Sequence, residues 1–281
     1  MAIIRFSEQY ANVLQKVVKA LPKTPVLIFK EDGLTRLTYS KNGILFHIAA
    51  TQDDFSYDGE QVGVASIAEF YDYSKAIGYP KTGEIEVTRA ISMAGHTYDY
   101  IKFTGNRKRL LCRMVDLAFF TEDATDIPCT SEENPLKFVG KLNLTKDMIK
   151  ALFDDRKLAP GCDNVTITCQ PESIMLTMRG TVGQQVDTSY GYPNVVLNQE
   201  VVAEAYANSV LRMFPFDMFK IMGAMGLDYT MELRFAPGAN GGLMAVACYS
   251  TLPGSNGNTI SVYVGAEESE AATIANIDMV R

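Results

Sequence analysis

Basic side chains recur at helical spacing along this 281-residue sequence. Lys16, Lys19 and Lys23 are three or four positions apart, so in a helix they would share one face. Long, flexible ammonium groups bind phosphates without a fixed geometry, whereas base recognition uses arginine, asparagine or glutamine aimed at a groove. The pattern predicts a phosphate-binding surface without sequence preference. Its candidate residues are Lys16, Lys19, Lys23, Lys75, Lys81, Lys146, Lys150, Arg156, Lys157 and Lys220.

A lysine-rich helix face can also serve solubility alone, and for any single helix this alternative stays open. The distribution of charge favours phosphate binding. The chain carries a formal net charge of −7, yet its helical segments are on balance basic. The acids are therefore concentrated in the strands and connectors, where they would repel a polyanion from the wrong surface.

Four segments have apolar residues at helical spacing and must position these bases. Ser7 and Thr145 are predicted N-caps of the first and third segments. The fourth reads FPFDMFKIMGAMG, and we expect its methionines and phenylalanines to pack in the core, with a methionine-rich partner groove as the alternative. The predicted helical segments are 7–21, 64–78, 145–155 and 214–226.

Short segments of alternating apolar and polar residues account for most of the remaining chain. Examples are EIEVT, NVTITC, TMELRFA and ISVYV, which are typical of strands. Turn sequences such as KEDG, SKNG and LPGSNGN separate them, so many joints should be hairpins and the sheets largely antiparallel. The predicted fold class is α+β.

The two halves of the chain contain similar helices. Asp72 and Lys75 recur 145 residues later as Asp217 and Lys220, and LQKVVKAL in the first helix matches TKDMIKAL in the third. Between the halves, TEDATDIPCTSEEN has five acids, no base and a proline, which is typical of an exposed connector. We therefore predict a duplicated arrangement with domains at 1–120 and 135–281 and a connector at 121–134.

The composition argues against an enzyme, a metal site and a cofactor. There are only two histidines, and the five cysteines have no CxxC spacing, so buried free thiols are expected. Asp53 with Asp54, or Asp154 with Asp155, could in principle serve a metal-dependent nuclease. Adjacent acids in a strand point to opposite faces, and we expect these pairs in solvated loops. No Walker A sequence is present.

The N-terminal sequence MAIIRFSEQY lacks the features of a sorting signal, and no apolar stretch is long enough to span a bilayer. These features predict a cytoplasmic protein, in the host cytoplasm if the chain comes from a phage.

Taken together, these features resemble DNA polymerase sliding clamps, of the kind found in bacteriophages and in the eukaryotic proliferating cell nuclear antigen. The resemblance rests on two similar halves with basic helices, MVDL before an acidic connector containing DIP, VLRMFPFDMFKIM, and ISVYVGAEES before an acidic tail. It spans nearly the whole chain without one diagnostic motif. The phage type fits best because the loops differ from cellular clamps, above all in VGQQVDTSYGYPNVVLNQ.

The resemblance implies a duplicated two-domain clamp fold, with antiparallel sheets outside and two helices per domain lining a central hole. It also implies a homotrimeric ring that encircles double-stranded DNA without sequence specificity and tethers DNA polymerase and other replication proteins, with a clamp loader as a further partner. Edge strands would pair between subunits, near Lys108 to Leu117 in one half and Ser173 to Thr181 in the other.

Sliding clamps also bind short peptides of their partners in a hydrophobic pocket beneath the connector. Carried over to this sequence, the pocket residues are Ile44, Ile127, Pro128, Tyr263 and Val264. A simple turn at Ile127 and Pro128 is the alternative. Two other classes of protein with the same doubled fold also stay open, namely a viral structural protein and a monomeric processivity factor.

Overall fold

The fold was analysed in a computed structural model. It describes residues 2–20, 26–30, 33–37, 44–91, 97–115, 137–207, 212–236, 242–252, 257–265 and 267–268. The chain divides into two compact units. Unit 1 comprises Met1–Tyr39, Leu45–Thr125 and Thr251–Ser261, and unit 2 comprises Ser40–Ile44, Asp126–Ser250 and Val262–Arg281. The predicted connector, 121–134, lies outside the described residues.

Unit 1 contains two helices among nine strands in the described residues. Its elements are β1 Ala2–Phe6, α1 Glu8–Ala20, β2 Val26–Lys30, β3 Gly33–Leu37, β4 Ile44–Ala49, β5 Phe55–Tyr57, β6 Val62–Val64, α2 Ile67–Ala76, β7 Glu84–Ile91, β8 Thr97–Gly105 and β9 Lys108–Val115. The strands are ordered β4-β3-β2-β6-β9-β8-β7-β1-β5.

Unit 2 repeats this sequence of elements and adds one helix, α4, and one short strand, β19, among the described residues. Its elements are β10 Lys137–Leu144, α3 Lys146–Leu158, β11 Asn164–Cys169, β12 Ile174–Arg179, β13 Gln185–Tyr190, β14 Val195–Leu197, α4 Gln199–Ala207, β15 Arg212–Pro215, α5 Asp217–Met225, β16 Tyr229–Ala236, β17 Gly242–Thr251, β18 Thr259–Gly265 and β19 Glu267–Glu268. The strand orders are β14-β10-β16-β17-β18 and β13-β12-β11-β15-β19.

The strand pairings of unit 1 recur in unit 2, which confirms the predicted duplicated α+β fold. β1 pairs with β5 and β7, as β10 pairs with β14 and β16. Likewise β2 pairs with β3 and β6, as β11 pairs with β12 and β15. These pairs are all antiparallel, as the hairpin-type turns predicted.

Each unit packs its two equivalent helices together, α1 with α2 and α3 with α5. The apolar stripe of α1 is buried as its spacing predicts, at Tyr10, Val13, Leu14 and Val17. In α5 the methionines and Phe219 are buried too, so the core interpretation of FPFDMFKIMGAMG is confirmed. The polar faces of these helices are left for the charged side chains.

Three features differ from the sequence predictions. α4 was not predicted, and VGQQVDTSYGYPNVVLNQ contains two strands, β13 and β14, rather than an insertion-like loop. The proposed edge near Ser173 to Thr181 is wrong, because β12 is paired on both flanks, with β11 and with β13. Among the described strands, β13 lies beyond β12 and is the outer strand at that edge of the sheet.

Candidate nucleic-acid interface

Side-chain caps fix the N-terminal ends of α1, α2 and α3, as predicted for α1 and α3. Ser7 Oγ accepts a hydrogen bond from the Tyr10 N–H at 3.1 Å, and Thr145 Oγ1 accepts one from the Met148 N–H at 3.2 Å. Such caps satisfy backbone donors of the first turn that have no partner within the helix. They set where each helix starts and so which residues its exposed face presents.

In unit 1 the predicted bases of the helix pair are exposed. Lys16 and Lys19 lie on the exposed face of α1, and Lys75 lies in the last turn of α2. Lys81 follows α2, and its ammonium is 3.5 Å from Glu8, with both side chains largely exposed. An ion pair of this kind contributes little, so Lys81 stays available to a phosphate. Lys23 lies outside the described residues.

In unit 2 two of the predicted bases are exposed and form no ion pair within 4 Å among the described residues, although Lys150 interacts with Asp154 at longer range. These are Lys146 and Lys150 of α3. Lys157 lies 2.6 Å from Asp154, and its hydrogen bond lowers the pKa of that carboxyl group. Lys220 contacts Asp217 one turn earlier in α5 and is half-buried. The lysines of unit 2 are thus partly neutralised within their own helices.

Arg156 is held by the fold more than the other candidates. Its Nε donates to the Cys162 carbonyl at 2.8 Å, and its guanidinium lies 3.2 Å from Asp163 and 4.6 Å from the centre of the Phe216 ring. Its side chain is 27% exposed. Arginine suits such a site because its planar group can stack on a ring while its N–H groups donate. These contacts anchor the C-terminal end of α3.

The predicted partner-binding residues have different exposures. Tyr263 is half-buried, whereas the side chains of Ile44 and Val264 are buried. All three belong to unit 2. Ile127 and Pro128 lie outside the described residues. Of these three side chains, only that of Tyr263 is accessible from the surface.

The paired acids have structural partners rather than a common ion. Asp54 accepts a hydrogen bond from the Ser7 hydroxyl at 2.6 Å and from the Asn258 amide at 2.8 Å. Asp155 accepts one from Thr188. Within the described ranges no group of three or more His, Cys, Asp or Glu residues is arranged to hold a metal ion.

The cysteine prediction holds for the described residues. Cys112, Cys162 and Cys248 are buried free thiols, and Cys169 is partly buried. Burial raises the pKa of Cys112 to about 11 and that of Cys169 to about 12. These thiols stay protonated at neutral pH and are poor nucleophiles. Cys129 lies outside the described residues.

Sequence reasoning missed one group of bases in unit 1. Arg107, Lys108 and Arg109 are consecutive and exposed at the turn between β8 and β9. Helical periodicity could not reveal them because they belong to a hairpin. The signal available was the run of three bases in GNRKRL.

None of the helices in the described residues is long and apolar enough to cross a membrane.

Comparison with known proteins identifies the fold. A chain of the PCNA2–PCNA3 complex from Sulfolobus tokodaii superposes with a TM-score of 0.55 and 14% identity, covering 95% of this chain and 99% of that one. Proliferating cellular nuclear antigen from Entamoeba histolytica gives 0.56 and 13%, covering 95% and 98%. The structure of the C-terminal region of FEN-1 bound to A. fulgidus PCNA gives 0.56 and 16%, covering 96% and 99%.

These similarities extend over nearly the whole of each chain. The protein therefore has the fold of the PCNA sliding clamps, as the sequence predicted. No protein-family model matches the sequence, and no curated protein matches it.

Proposed function

We propose that this chain is a DNA polymerase processivity factor, a non-catalytic sliding clamp that encircles duplex DNA and tethers polymerase to it. The observation that carries the proposal is the placement of exposed lysines on the paired helices of both units in a clamp fold. Lys16, Lys19 and Lys75 supply them in unit 1, and Lys146 and Lys150 in unit 2. Mobile ammonium groups hold phosphates loosely, so the protein would slide without sequence preference.

A ring requires that several chains close on one another. We propose a homotrimer with head-to-tail contacts, which close when each subunit turns the ring by a third of a circle. Two strand edges favour this arrangement. β9 pairs with β8 from Lys108 to Arg113, while its other flank pairs with β6 only at Met114 and Val115. β13 pairs with β12 on one flank alone among the described strands.

Encirclement is tested by retention on DNA. The protein is loaded onto circular and linear duplexes of equal length, and the bound fraction is followed after dilution. A ring stays on the circle and leaves through free ends, so retention on the circle alone is expected. Equal loss from both templates would refute the proposal.

The assembly is tested by sedimentation of the free protein. We expect a species of about three times the 31.0 kDa chain mass. A monomer that still increases polymerase processivity would favour the monomeric processivity factor instead.

The lysines are tested by charge reversal. Lys16→Glu with Lys19→Glu, and separately Lys146→Glu with Lys150→Glu, should each lower affinity for a short duplex by about 30-fold, because each lost phosphate contact costs about fivefold at physiological salt. Both variants should keep the mass of the wild-type assembly. Unchanged affinity would assign these faces to solubility alone.

Peptides of the polymerase and the clamp loader are the proposed ligands of the surface around Tyr263, Ile127 and Pro128. Tyr263→Ala with Ile127→Ala should weaken binding of a polymerase tail peptide in a titration. The duplex affinity of this variant should match that of the wild type, because these residues lie away from the proposed lysines in the sequence. Unchanged peptide binding would remove this assignment.

A further inference from the structure

The turn between β8 and β9 has a backbone conformation that arginine rarely adopts. Gly105 and Lys108 pair across the hairpin, so Asn106 and Arg107 are its two central residues. Their φ angles are 48° and 60°. A two-residue hairpin with positive φ at both positions prefers Asn-Gly, because glycine has no Cβ to clash. Asn106 fits this preference, whereas Arg107 stands where glycine would be more stable.

This turn lies against the segment that follows α2. A Cβ on Gly78 would be 2.7 Å from Asn106 Nδ2 and 2.4 Å from the Thr82 hydroxyl, so both residues border Gly78. Arg107 follows Asn106 and Lys81 precedes Thr82 in the sequence. The hairpin therefore places Arg107 and Lys81 on adjoining segments, although 26 positions separate them in the chain.

Five bases of unit 1 lie on this hairpin, in the last turn of α2 and in the segment that follows α2, and we call them the hairpin patch. All five are exposed. They are Lys75, Lys81, Arg107, Lys108 and Arg109.

Among the described residues one carboxylate forms an ion pair with the hairpin patch, and Asp72 lies one helical turn before Lys75 in α2. Glu8 pairs with Lys81 at 3.5 Å, but both side chains are more than two-thirds exposed and the pair is weak. Glu84 lies two strands from Arg109, across Thr104. Within the described part of the chain, Lys75 and Arg107 have no side-chain acceptor. The guanidinium of Arg107 is free to bind an external anion.

A strained residue whose side chain has no ion pair or hydrogen bond among the described residues is a candidate for function. We propose that Arg107 binds a backbone phosphate of duplex DNA and that the hairpin patch extends the DNA-binding surface beyond the helices. The inference rests on the proposed function. Arginine suits this task because its five donors form a fork that matches phosphate, and Lys75 and Lys81 supply further charge beside it.

The test is the salt dependence of binding to a short linear duplex, measured by fluorescence anisotropy. For each subunit whose Arg107 contacts the duplex, Arg107→Gly and Arg107→Gln should each reduce the slope of log K against log salt by about 0.9 and lower affinity about fivefold near 0.15 M salt. Arg107→Lys should keep the wild-type slope. The matched control is Arg179→Gln, which removes an exposed arginine of β12 that interacts with Asp187, and it should change nothing.

Stability separates function from folding in this series. Arg107→Gly should raise the midpoint of chemical denaturation, because glycine relieves the positive φ, while still losing affinity. A variant that is more stable yet binds less tightly cannot owe its loss to unfolding. Sedimentation of each variant checks that the assembly mass is unchanged, since Arg107 adjoins β9.

The proposal is overturned if Arg107→Gly and Arg107→Gln bind the duplex with the wild-type slope, or if they weaken binding of single strands only. This failure is distinct from failure of the proposed function. Wild-type protein that stays on circular DNA while Arg107→Gly keeps the wild-type slope rejects the hairpin patch alone. Equal loss of wild-type protein from circular and linear DNA rejects encirclement and leaves the slope measurement to decide the role of Arg107.

Discussion

The two units share one topology but tie their first helices with different side chains. In unit 1 the start of α1 is tied by Ser7 to Asp54, which also accepts a hydrogen bond from the buried amide of Asn258. In unit 2 the start of α3 is tied by Asp228, which accepts a hydrogen bond from the Lys146 N–H at 2.7 Å, and its end is tied by Arg156 to the Cys162 carbonyl and to the Phe216 ring. The topology therefore does not require one particular anchor.

The cores of the two units also differ in the side chains that fill them. Unit 1 packs aromatic rings around its helices, with ring centres of Phe29 and Phe70 4.6 Å apart and those of Phe70 and Phe103 5.4 Å apart. In unit 2, the helix α5 itself buries Met218, Met222 and Met225. Flexible methionine fills irregular space, whereas rings demand specific geometry. The shared element is the order of strands and helices, and each unit reaches it with different side chains.

The largest expected effect comes from breaking the anchor of unit 1. Asp54→Ala leaves the Ser7 hydroxyl and the Asn258 amide without their acceptor, and Asn258 is only 1% exposed. We expect a loss of about 3 kcal/mol in the free energy of unfolding. The neighbouring exposed residue is the control, and Asp53→Ala should cost less than about 0.5 kcal/mol in the same denaturation experiment. Equal effects of the two substitutions would contradict the anchor.

The anchor of unit 2 should matter somewhat less. Arg156→Ala removes a charged hydrogen bond and a cation–π contact, and we expect a loss of about 2 kcal/mol. Lys157→Ala, one residue on, removes only the exposed pair with Asp154 and should cost about 0.5 kcal/mol or less. The comparison between the two anchors would be wrong if Arg156→Ala left the denaturation midpoint where it is.

The C-terminal ends of the second helices offer a sharper comparison. Gly78 after α2 has a φ of 80° and a crowded site, whereas Gly226 after α5 has a φ of 66° and nothing within 4 Å of an added Cβ. Gly226→Ala should cost about 1 kcal/mol, from backbone strain alone. Gly78→Ala should cost about 2 kcal/mol, because the methyl group also meets Thr82 and Asn106. Thermal unfolding of both variants measures the difference.

The smallest effect is a dependence on pH in unit 2. Hydrogen bonds from Thr177 and Gln185 lower the pKa of Asp187 on β13. Because the folded-state pKa is below the unfolded value, the ionised carboxylate stabilises the fold at neutral pH, and this contribution is lost as pH falls through the folded-state pKa. The stability difference between wild type and Asp187→Asn should be constant above pH 5 and shrink below about 4. A stability difference that grows on acidification would contradict this prediction.

Local periodicity was enough to predict the class of the fold. The four predicted helices are present, with ends shifted by up to three residues, because apolar spacing and caps are local signals. α4 was missed because QEVVAEAYA follows several turn residues and was not recognised as a helical segment. Contacts between distant positions leave no such signal, and Asn258 and Asp54 are 204 residues apart.

The residue matches that suggested duplication are not structurally equivalent. Counted from the caps Ser7 and Thr145, Lys19 corresponds to Lys157 rather than to Lys150. The sequence match is therefore seven residues out of register, which is close to two helical turns, so the matched lysines still share a face. Similarly, Lys75 lies in the last turn of α2, whereas Lys220 is the fourth residue of α5. Periodicity, more than common identity, produced the correct conclusion.

Other parts of the site stay predictions. The bases were located from sequence because helical spacing is explicit, but their partners were not, so the engagement of Arg156 and Lys157 came only from the structure. The hairpin patch was missed altogether. The domain boundaries depend on the repeats and the composition of the connector, whereas the roles of Ile127 and Pro128 and the phage origin depend on the resemblance alone.

The polar network at Asn258 has a consequence for how the chain acquires its structure during synthesis. Asn258 supplies both the acceptor for the Thr51 N–H and the donor to Asp54, each more than 200 residues earlier in the chain. Translation produces the N-terminal residues first. The Thr51 N–H and the Asp54 carboxylate therefore lack this partner until Asn258 has been synthesised, near the end of the chain. Only the nearly finished polypeptide can complete unit 1. Chains that terminate before Asn258 would lack both hydrogen bonds and would fold less stably than the intact protein.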